Sequence, residues 1–174
     1  MIIRTAVLSD LDAIANVEAE CFPAAEAATR EIFADRLKYY ASHFWLMFDD
    51  ERLISFVDSM CTDELDLTDE MYSHAELHNE AGQWQMIFGV NTIPSYRHKS
   101  YAGELIRRVI HDSREQGRKG LVLTCKDKLV EWYLRFGFAS LGSFLLRAAA
   151  LSLCDLLHES DSLFLLIGLK ISCQ

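Results

Sequence analysis

The order of apolar and polar residues along this chain predicts short strands separated by amphipathic helices. Short apolar runs bounded by charged or turn-forming residues predict the strands, and apolar residues recurring every three or four positions predict the helices. The predicted strands lie near residues 2–6, 44–48, 53–58, 87–92 and 121–126, and the predicted helices lie near residues 9–20, 26–41 and 102–112. Asp49–Arg52, between two of the apolar runs, predicts a hairpin turn. This alternation is typical of an α/β domain.

The acidic segment Thr62–Gly82 carries His74 and His78, four residues apart on a predicted helix. Two histidines on one helical face can bind a metal, but no third ligand is evident nearby in the sequence. We therefore interpret the segment as a solvent-facing helix and predict no metal site. Farther along, residues 143–157 predict a helix and Leu163–Leu169 predicts another strand.

The most informative stretch runs from Ile87 to Arg97 and continues through Gly103 into an amphipathic helix. It predicts a strand, a short basic loop, and a helix with its apolar residues, such as Leu105 and Val109, on one face. The first N–H groups of such a helix lack intrahelical partners, and the helix dipole favours negative charge. The stretch therefore predicts a binding site for a phosphorylated ligand, held mainly by backbone groups.

This loop resembles the acyl-coenzyme A loop of the GNAT superfamily of N-acetyltransferases, whose pattern is Arg or Gln, two residues, Gly, one residue, Gly or Ala. Here the pattern reads Arg97, His98, Lys99, Ser100, Tyr101 and Ala102. The first and last positions match, and Ser100 replaces the central Gly. That replacement costs conformational freedom if the position requires a positive φ.

A second motif follows in the order and at the distance that the superfamily has. Leu121–Lys126 predicts a buried strand, and Leu129–Phe138 predicts a short helix with a Tyr-x-x-Phe-Gly-Phe ending, which is similar to the superfamily's next motif. Near the N-terminus, Ile3–Asp12 predicts an edge strand that runs into a capped helix. Glu18–Pro23 with Glu26–Ala28 resembles the serotonin (arylalkylamine) N-acetyltransferase-like bacterial branch.

The resemblance covers residues 1–142 and implies the GNAT fold. This is an α/β fold with a mixed, twisted central sheet, splayed after strand 4, and with helices on both faces. The tail beyond residue 142 departs from the branch, and either an altered reading frame or a divergent tail would produce it. We predict that residues 1–174 form a single N-acetyltransferase domain.

Composition narrows the function classes. The chain has 174 residues, of which 51% are hydrophobic and 25% charged, as is ordinary for one soluble domain. Its net charge of −9 disfavours a nucleic-acid binder, because phosphate neutralisation requires clustered Lys and Arg. The acidic balance favours a cationic substrate such as an amine, although a solvated acidic surface is the simpler explanation.

The cysteines and apolar runs bear on location. The five cysteines are odd in number and show no Cys-x-x-Cys spacing, which indicates reduced core residues. No basic segment followed by an apolar one opens the chain, and the apolar runs near its end are too short to span a bilayer. We therefore expect a cytoplasmic protein without membrane or nucleic-acid partners.

The resemblance implies transfer of an acetyl group from acetyl-CoA, as co-substrate, to a primary amine of a small molecule of the aryl-alkylamine or polyamine-like kind. Val90 and Thr92 would offer backbone groups to the pantetheine arm, and residues 97–103 would hold the diphosphate. The residues expected to bind the coenzyme are Val90, Asn91, Thr92, Arg97, His98, Lys99, Ser100, Tyr101, Ala102 and Gly103. Tyr133 matches the tyrosine that protonates the coenzyme A sulfur as general acid, since a tyrosine with a pKa near ~10 is neutral at pH 7. A ring packed on the sheet is the alternative role for Tyr133.

The general base is left open by the sequence. In the serotonin acetyltransferases two histidines on the strand before the loop relay the amine proton, but Met86 and Phe88 occupy those positions here. This departure argues against simple transfer of the serotonin specificity. A carboxylate such as Glu18, Glu20 or Glu26, or a chain of waters, is the alternative.

The sequence also leaves open two functions other than that of an enzyme. Ser100, the missing histidines and the tail also fit a sensor or regulatory module that binds acetyl-CoA without turnover. A non-catalytic domain would use the apolar C-terminal segment as an oligomer interface, and a homodimer is a possible partner state. A test of coenzyme binding separates the non-catalytic oligomerisation domain from the enzyme and the sensor. A test of turnover with a panel of amines then separates the enzyme from the sensor.

Overall fold

The fold is organised around one mixed β-sheet with helices on both faces. The computed structural model describes residues 1–140 and the backbone of residues 164–169. Within these residues the strands are β1 (Ile2–Thr5), β2 (Phe44–Asp49), β3 (Arg52–Thr62), β4 (Trp84–Thr92), β5 (Gly120–Cys125), β6 (Ala139–Ser140) and β7 (Phe164–Leu169). They lie in the order β1-β2-β3-β4-β5-β7-β6. Strands β1 to β4 are antiparallel to one another, whereas the β4–β5, β5–β7 and β7–β6 pairs are parallel.

The helices lie where apolar residues recur at helical spacing. They are α1 (Leu11–Cys21), α2 (Arg30–Tyr40), α3 (Asp69–Ser73), α4 (Tyr101–Glu115) and α5 (Asp127–Leu134). In α4 the residues Leu105, Ile106 and Val109 are completely buried. Burial of each such side chain stabilises the fold by about 1.5–3 kcal/mol, so this stripe fixes α4 on the sheet.

The helix expected within Thr62–Gly82 is mostly absent, which corrects the sequence interpretation. Helix α3 ends at Ser73, and His74 has φ −120° and ψ 83°, outside the helical region. A short 3₁₀ turn precedes His78. The two histidines therefore do not share a helical face, because the chain changes direction between them.

Strands β4 and β5 separate partway along their length, as the resemblance implied. Their pairing covers only Trp84–Ile87 against Gly120–Leu123, although β4 continues to Thr92. We call the space between residues 88–92 of β4 and the end of β5 the splay. Along its other edge β4 stays paired with β3, so one wall of the splay is formed by two hydrogen-bonded strands.

A β-bulge lies at the start of this wall. Asp58 of β3 is opposite Gly89 of β4, but the next residue, Ser59, is opposite Ile87. Phe88 is therefore an extra residue on β4. A bulge of this kind bends the strand and increases its twist, which helps β4 to diverge from β5.

The chain beyond residue 142 contributes to the sheet. The expected strand near Leu163–Leu169 is confirmed by β7, which lies between β5 and β6. The helix expected over residues 143–157 lies outside the described residues. In the part of the chain that the structure describes, no helix is both long and apolar enough to cross a membrane.

Candidate active site

The exposed edge of β4 lines the splay. The Ile93 N–H donates to the Ile54 carbonyl of β3 at 3.0 Å, so the backbone groups of Ile93 and Asn91 face β3. By strand alternation those of Val90 and Thr92 face away from β3, toward the splay. Pairing with β5 has ended at Ile87, which leaves the edge at Val90 open to a ligand.

The loop after β4 contains two residues in the left-handed backbone conformation. Ser100 has φ 68° and His98 has φ 61°, both in the left-handed region. The central position of the loop thus does require a positive φ, and Ser100 accepts that conformation without being glycine. The left-handed conformation of these two residues turns the chain toward the start of α4.

The N-terminus of α4 presents free backbone donors. The first intrahelical hydrogen bond is donated by the Glu104 N–H to the Ser100 carbonyl at 3.1 Å. The N–H groups of Tyr101, Ala102 and Gly103 therefore lack intrahelical partners. They lie at the positive end of a fifteen-residue helix, which favours an anion there.

Gly103 allows α4 to approach the segment that follows α5. A Cβ at this position would lie 3.2 Å from Cζ of the Phe136 ring, so a larger side chain would push the two apart. The Arg107 guanidinium lies 5.3 Å from the centre of the same ring. These contacts hold the α4 N-terminus close to the α5 side of the splay.

The three basic residues of the loop differ in their contacts. The Arg97 Nε donates to the Thr92 carbonyl at 3.0 Å, and its guanidinium also reaches the Cys21 carbonyl of α1 at 3.5 Å. The Lys99 ammonium lies 4.9 Å from the centre of the Tyr96 ring. Arg97, His98 and Lys99 are all exposed, so their charges surround the entrance without being buried.

Tyr133 lies on the β5 side of the splay. Its side chain is buried among Trp132 and Phe138, with ring centres 4.8 Å and 5.6 Å away. Burial raises the pKa of the Tyr133 hydroxyl, and the neighbouring Cys125 thiol adds to the shift. The hydroxyl therefore keeps its proton at neutral pH and is able to donate it. Cys125 is the last residue of β5, beyond the residues that pair with β4, so Tyr133 lies near that end of the strand.

Glu18 lies on the opposite wall. One carboxylate oxygen accepts the Ala28 N–H at 2.9 Å, and the other accepts Nδ2 of Asn91 at 2.5 Å. The Asn91 side chain is thus directed at α1, and its backbone faces β3. Asn91 joins the wall that carries Glu18, and its role in binding the coenzyme stays a prediction. Burial raises the pKa of the Glu18 carboxyl.

An ion pair lies behind Glu18. The Arg36 Nη1 donates to the Asp58 carboxylate at 2.5 Å, and both side chains are almost fully buried. Burial raises the pKa of the Asp58 carboxyl, while the Arg36 guanidinium and the Gly89 N–H oppose that shift. The Arg36 Nη2 also donates to the Tyr72 carbonyl at 2.8 Å, which fixes the segment containing α3.

The positions of the two absent histidines are apolar in the structure. Met86 is fully buried, and Phe88 is half-buried between the Tyr72 ring, 4.9 Å away, and the Arg36 guanidinium, 4.5 Å away. The Tyr72 hydroxyl lies 3.2 Å from Oγ1 of Thr124 on β5. Tyr72 therefore bridges from the α3 segment to β5, over the side of the splay that the coenzyme loop does not occupy.

Arg36 and Asp58 were not among the candidate residues that the sequence predicted. Apart from Arg52 at its start, Asp58 is the only charged residue of β3, which was a usable signal that it is buried and paired. Arg36 lies on the buried side of α2, which also carries Phe33, Leu37 and Tyr40. A charged residue at a core position of a helix implies a partner, but its identity depends on tertiary structure.

At the other end of the sheet a second polar group forms, which we call the distal cluster. It consists of His43, Cys61, His78, Glu80 and Gln85. Nε2 of His43 and Nε2 of His78 lie 2.9 Å and 3.1 Å from one Glu80 oxygen. Three potential metal ligands thus meet here, and of these the sequence had indicated only His78.

The hydrogen bonds of the distal cluster fit a proton network better than a metal. The Cys61 N–H donates to Nδ1 of His78 at 3.1 Å, so the neutral ring carries its proton on Nε2 and donates to Glu80. A metal on Nε2 would require a second-shell acceptor at Nδ1 instead of a donor. Arg118 lies 3.1 Å from Glu80, and its positive charge opposes a cation.

The side chains of the distal cluster are also chemically unreactive. Burial lowers the pKa of His43 and His78 and raises the pKa of the Cys61 thiol to about 12. Cys61 is therefore protonated at neutral pH and a poor nucleophile. Cys21, Cys61 and Cys125 are free thiols, as expected for reduced cysteines.

The known proteins to which this chain is similar agree with one another in kind. Serotonin N-acetyltransferase from Mesocricetus auratus is 25% identical over 158 residues, which cover 86% of this chain and 73% of that protein. The structure of the GphF GNAT-like decarboxylase in complex with isobutyryl-CoA matches with a TM-score of 0.60 and 24% identity. That match covers 66% of this chain and 60% of the decarboxylase chain, so this chain spans less than two thirds of that structure.

A third relative shares the fold over more of its length. The GNAT family acetyltransferase from Brucella melitensis, in complex with acetyl-CoA, matches with a TM-score of 0.56 and 17% identity, over 79% of this chain and 82% of its own. The family model described as the acetyltransferase (GNAT) domain matches residues 2–141. With that match and the splayed sheet beside the α4 N-terminus, the chain belongs to the GNAT acetyltransferase family of acyltransferases.

Proposed function

We propose that this protein is an N-acetyltransferase that acetylates the primary amine of a small cationic molecule, with acetyl-CoA as co-substrate. The observation that carries the proposal is the open edge of β4 at Val90, with Glu18 on one wall of the splay and Tyr133 on the other. A neutral acid and a carboxylate on opposite walls suit acyl transfer, which needs a proton removed from one reactant and given to another.

The coenzyme fits the residues around the open edge. Val90 offers unpaired backbone groups to an amide-bearing arm, and the N–H groups of Tyr101 to Gly103 suit a diphosphate. The exposed cations Arg97, His98 and Lys99 supply the surrounding positive charge. These contacts use backbone atoms for orientation and side chains for charge, which accords with the Ser100 substitution being tolerated.

The chain's own residues then carry the proton chemistry. Bound acetyl-CoA supplies an activated acetyl group as a thioester. Tyr133 donates a proton to the sulfur that leaves, because its hydroxyl is neutral at pH 7. The backbone N–H groups along the open edge, of which Val90 is the central one, stabilise the developing oxyanion.

Calorimetric titration with acetyl-CoA, followed in the same sample by release of free thiol, tests this function. The acceptor panel contains 2-phenylethylamine, tryptamine and spermidine, which represent the aryl-alkylamine and polyamine classes. We expect micromolar binding and thiol release with at least one amine. Binding without release from any acceptor would favour the sensor, and absence of binding would overturn the coenzyme site.

The proposal extends to the whole chain. We propose that residues 1–174 form one catalytic domain, to which the tail contributes β7. Location in the cytoplasm and a homodimer stay predictions, which cell fractionation and light scattering of the purified protein will check.

A further inference from the structure

The Glu18 carboxylate is held in a fixed orientation beside the unpaired part of β4. Glu18 lies on the inner side of α1, with only 7% of its surface exposed. The Ala28 N–H binds one oxygen and the Asn91 amide binds the other, so the carboxylate plane is set from two directions. Each carboxylate oxygen has a second lone pair, which leaves the group able to accept a further proton or hydrogen bond.

The groups around Glu18 supply one guanidinium for two carboxyl groups. Asp58 and Arg36 lie close enough to influence its titration, Asp58 by disfavouring the ionised form and Arg36 by favouring it. Two carboxylates thus share one guanidinium, which is already bonded to Asp58. Cys21, on the next turn of α1, is a protonated thiol whose pKa is raised by burial. A cation entering the splay would complete this balance.

The other two carboxylates considered from the sequence do not have this environment. Glu20 is exposed and lies 3.8 Å from Arg52 on the surface. Glu26 is exposed and lies 3.3 Å from the Lys126 ammonium. Within the described residues neither carboxylate is hydrogen-bonded to β4, whereas Glu18 accepts a hydrogen bond from the Asn91 side chain of the strand that forms the open edge.

We infer that Glu18 is the general base and that it binds the acceptor as an ammonium ion, with Asn91 as its positioning residue. This inference rests on the proposed acetyltransferase function, and it names the chemical class of acceptor, a protonated primary amine. The geometry that carries it is a buried carboxylate, fixed by Asn91 on the open strand and lacking a cation of its own.

The proton balance of the step is complete. The ammonium gives one proton to Glu18, and the neutral nitrogen forms a bond to the acetyl carbonyl carbon. As the carbon–sulfur bond breaks, its electron pair stays on sulfur, which takes a proton from Tyr133. The nitrogen loses a second proton as the amide forms, and this proton returns to Tyr133 through water. Glu18 releases its proton to solvent, so one ammonium and one thioester give one amide, one thiol and one proton.

The pH dependence of Glu18→Gln tests the base. In the wild type kcat/KM should reach a plateau above the pKa of Glu18, because the enzyme accepts the ammonium form. Without the base the enzyme must capture free amine, which increases about tenfold per pH unit below an alkylammonium pKa near ~10. We expect kcat/KM of Glu18→Gln for 2-phenylethylamine to be about a hundredfold lower at pH 7 and the deficit to shrink with rising pH.

Asn91→Ala provides a second variant that keeps the carboxylate. The Asn91 amide favours the ionised form of Glu18, so its loss should move the acidic limb of kcat/KM to higher pH. A purely structural role for Asn91 would lower the melting temperature without moving that limb. Glu20→Gln is the matched control on the same helix, and its pH profile should coincide with that of the wild type.

A binding measurement separates this inference from the proposed function. Phenylethyltrimethylammonium carries the charge of an acceptor but no transferable proton, and its titration in the presence of saturating coenzyme A needs no turnover. We expect Glu18→Gln to weaken this binding about tenfold. Equal binding to wild type and variant, or unchanged pH profiles in both variants of an active enzyme, would overturn the inference. Loss of all turnover in the wild type, with cation binding still dependent on Glu18, would overturn only the acetyltransferase.

Discussion

The two ends of the sheet each hold a polar cluster, and of the two only the cluster with Glu18 lies beside β4 backbone that has no β5 partner. At the splay, Glu18 lies against the part of β4 that has no β5 partner, and the buried Arg36–Asp58 pair lies behind it. At the distal end, His43 and Glu80 lie where the two strands are still paired. Buried polar residues alone therefore do not mark a reactive site. The separation of the β4 and β5 backbones distinguishes the splay from the distal end.

The two ends also differ in charge balance. In the distal cluster Glu80 is bonded to His43 and His78 and also meets Arg118. Every acidic group there has a basic partner. At the splay one carboxylate remains without such a partner, which suits a site whose missing cation is a substrate. The following predictions test this contrast, beginning with the largest expected effect.

Breaking the ion pair behind Glu18 should cost the most stability. Asp58→Asn leaves the Arg36 guanidinium buried without its counter-charge, and a guanidinium cannot lose its proton at accessible pH. We expect the free energy of unfolding to fall by about 3–5 kcal/mol, measured by urea denaturation. Arg36→Met should cost less, because the Asp58 carboxyl left behind can take up a proton.

The exposed pair of Arg30 and Asp12 is the control for that measurement. Its atoms lie 2.7 Å apart, but both side chains are more than half exposed. Asp12→Asn should therefore change the free energy of unfolding by no more than about 1 kcal/mol. Similar losses in Asp58→Asn and Asp12→Asn would contradict the view that burial sets the difference.

Removing the acid should affect turnover and spare coenzyme binding. Tyr133→Phe keeps the ring that packs on Trp132 and Phe138 but lacks the proton donor. We expect kcat to fall about a hundredfold, equivalent to about 2.7 kcal/mol, with an unchanged dissociation constant for acetyl-CoA. Thiol release and calorimetry measure the two quantities. Tyr39→Phe, at an exposed position of α2, is the control, and a Tyr133→Phe enzyme as fast as this control would remove Tyr133 from the mechanism.

Removing a cation at the entrance should have a smaller effect, on affinity alone. Arg97→Ala loses a charge beside the N-terminus of α4 and the hydrogen bond to the Thr92 carbonyl. We expect the dissociation constant for acetyl-CoA to rise about tenfold, equivalent to about 1.4 kcal/mol, as measured by calorimetry. Arg108→Ala removes an arginine of α4 that is paired with Asp112, and should leave the constant unchanged. Equal affinities of both variants would count against the loop assignment.

The distal cluster should respond to pH through stability. Burial lowers the pKa of His43, so the unfolded state binds the proton more readily than the folded state. Stability from this group is therefore full above the unfolded pKa near ~6.5 and declines as the pH falls below it. The slope is at most about 1.4 kcal/mol per pH unit for one histidine.

Urea denaturation of wild type and His43→Gln between pH 5 and pH 7.5 measures this contribution. The variant should show a shallower decline, and Glu18 and Asp58 act in the opposite direction because their pKa values are raised. The subtraction isolates His43, since those groups are common to both proteins. An identical decline in the two proteins would mean that His43 does not couple protonation to folding.

Local sequence patterns predicted most of the fold, and pairings distant in sequence were the part they missed. The strand, loop and helix around Ser100 were predicted because each depends on neighbouring residues, whereas the positive φ at Ser100 was a condition that only the structure could decide. Glu18 and Asn91 are 73 residues apart, and no local pattern pairs them. His43 was missed as a neighbour of His78 for the same reason, and the predicted helix failed there because the chain turns at His74.

The extra residue Phe88 in β4 has a consequence for how this protein tolerates insertions and deletions. Side chains alternate between the two faces of a strand, so one residue more or less reverses every position that follows. Deleting a single residue between the bulge and Asn91 would turn the Asn91 amide to the opposite face and away from Glu18, although the composition of the strand would hardly change. The length of β4 is thus constrained as strictly as its residue types, and variants that shift its frame by one are expected to lose the acceptor site while keeping the coenzyme loop.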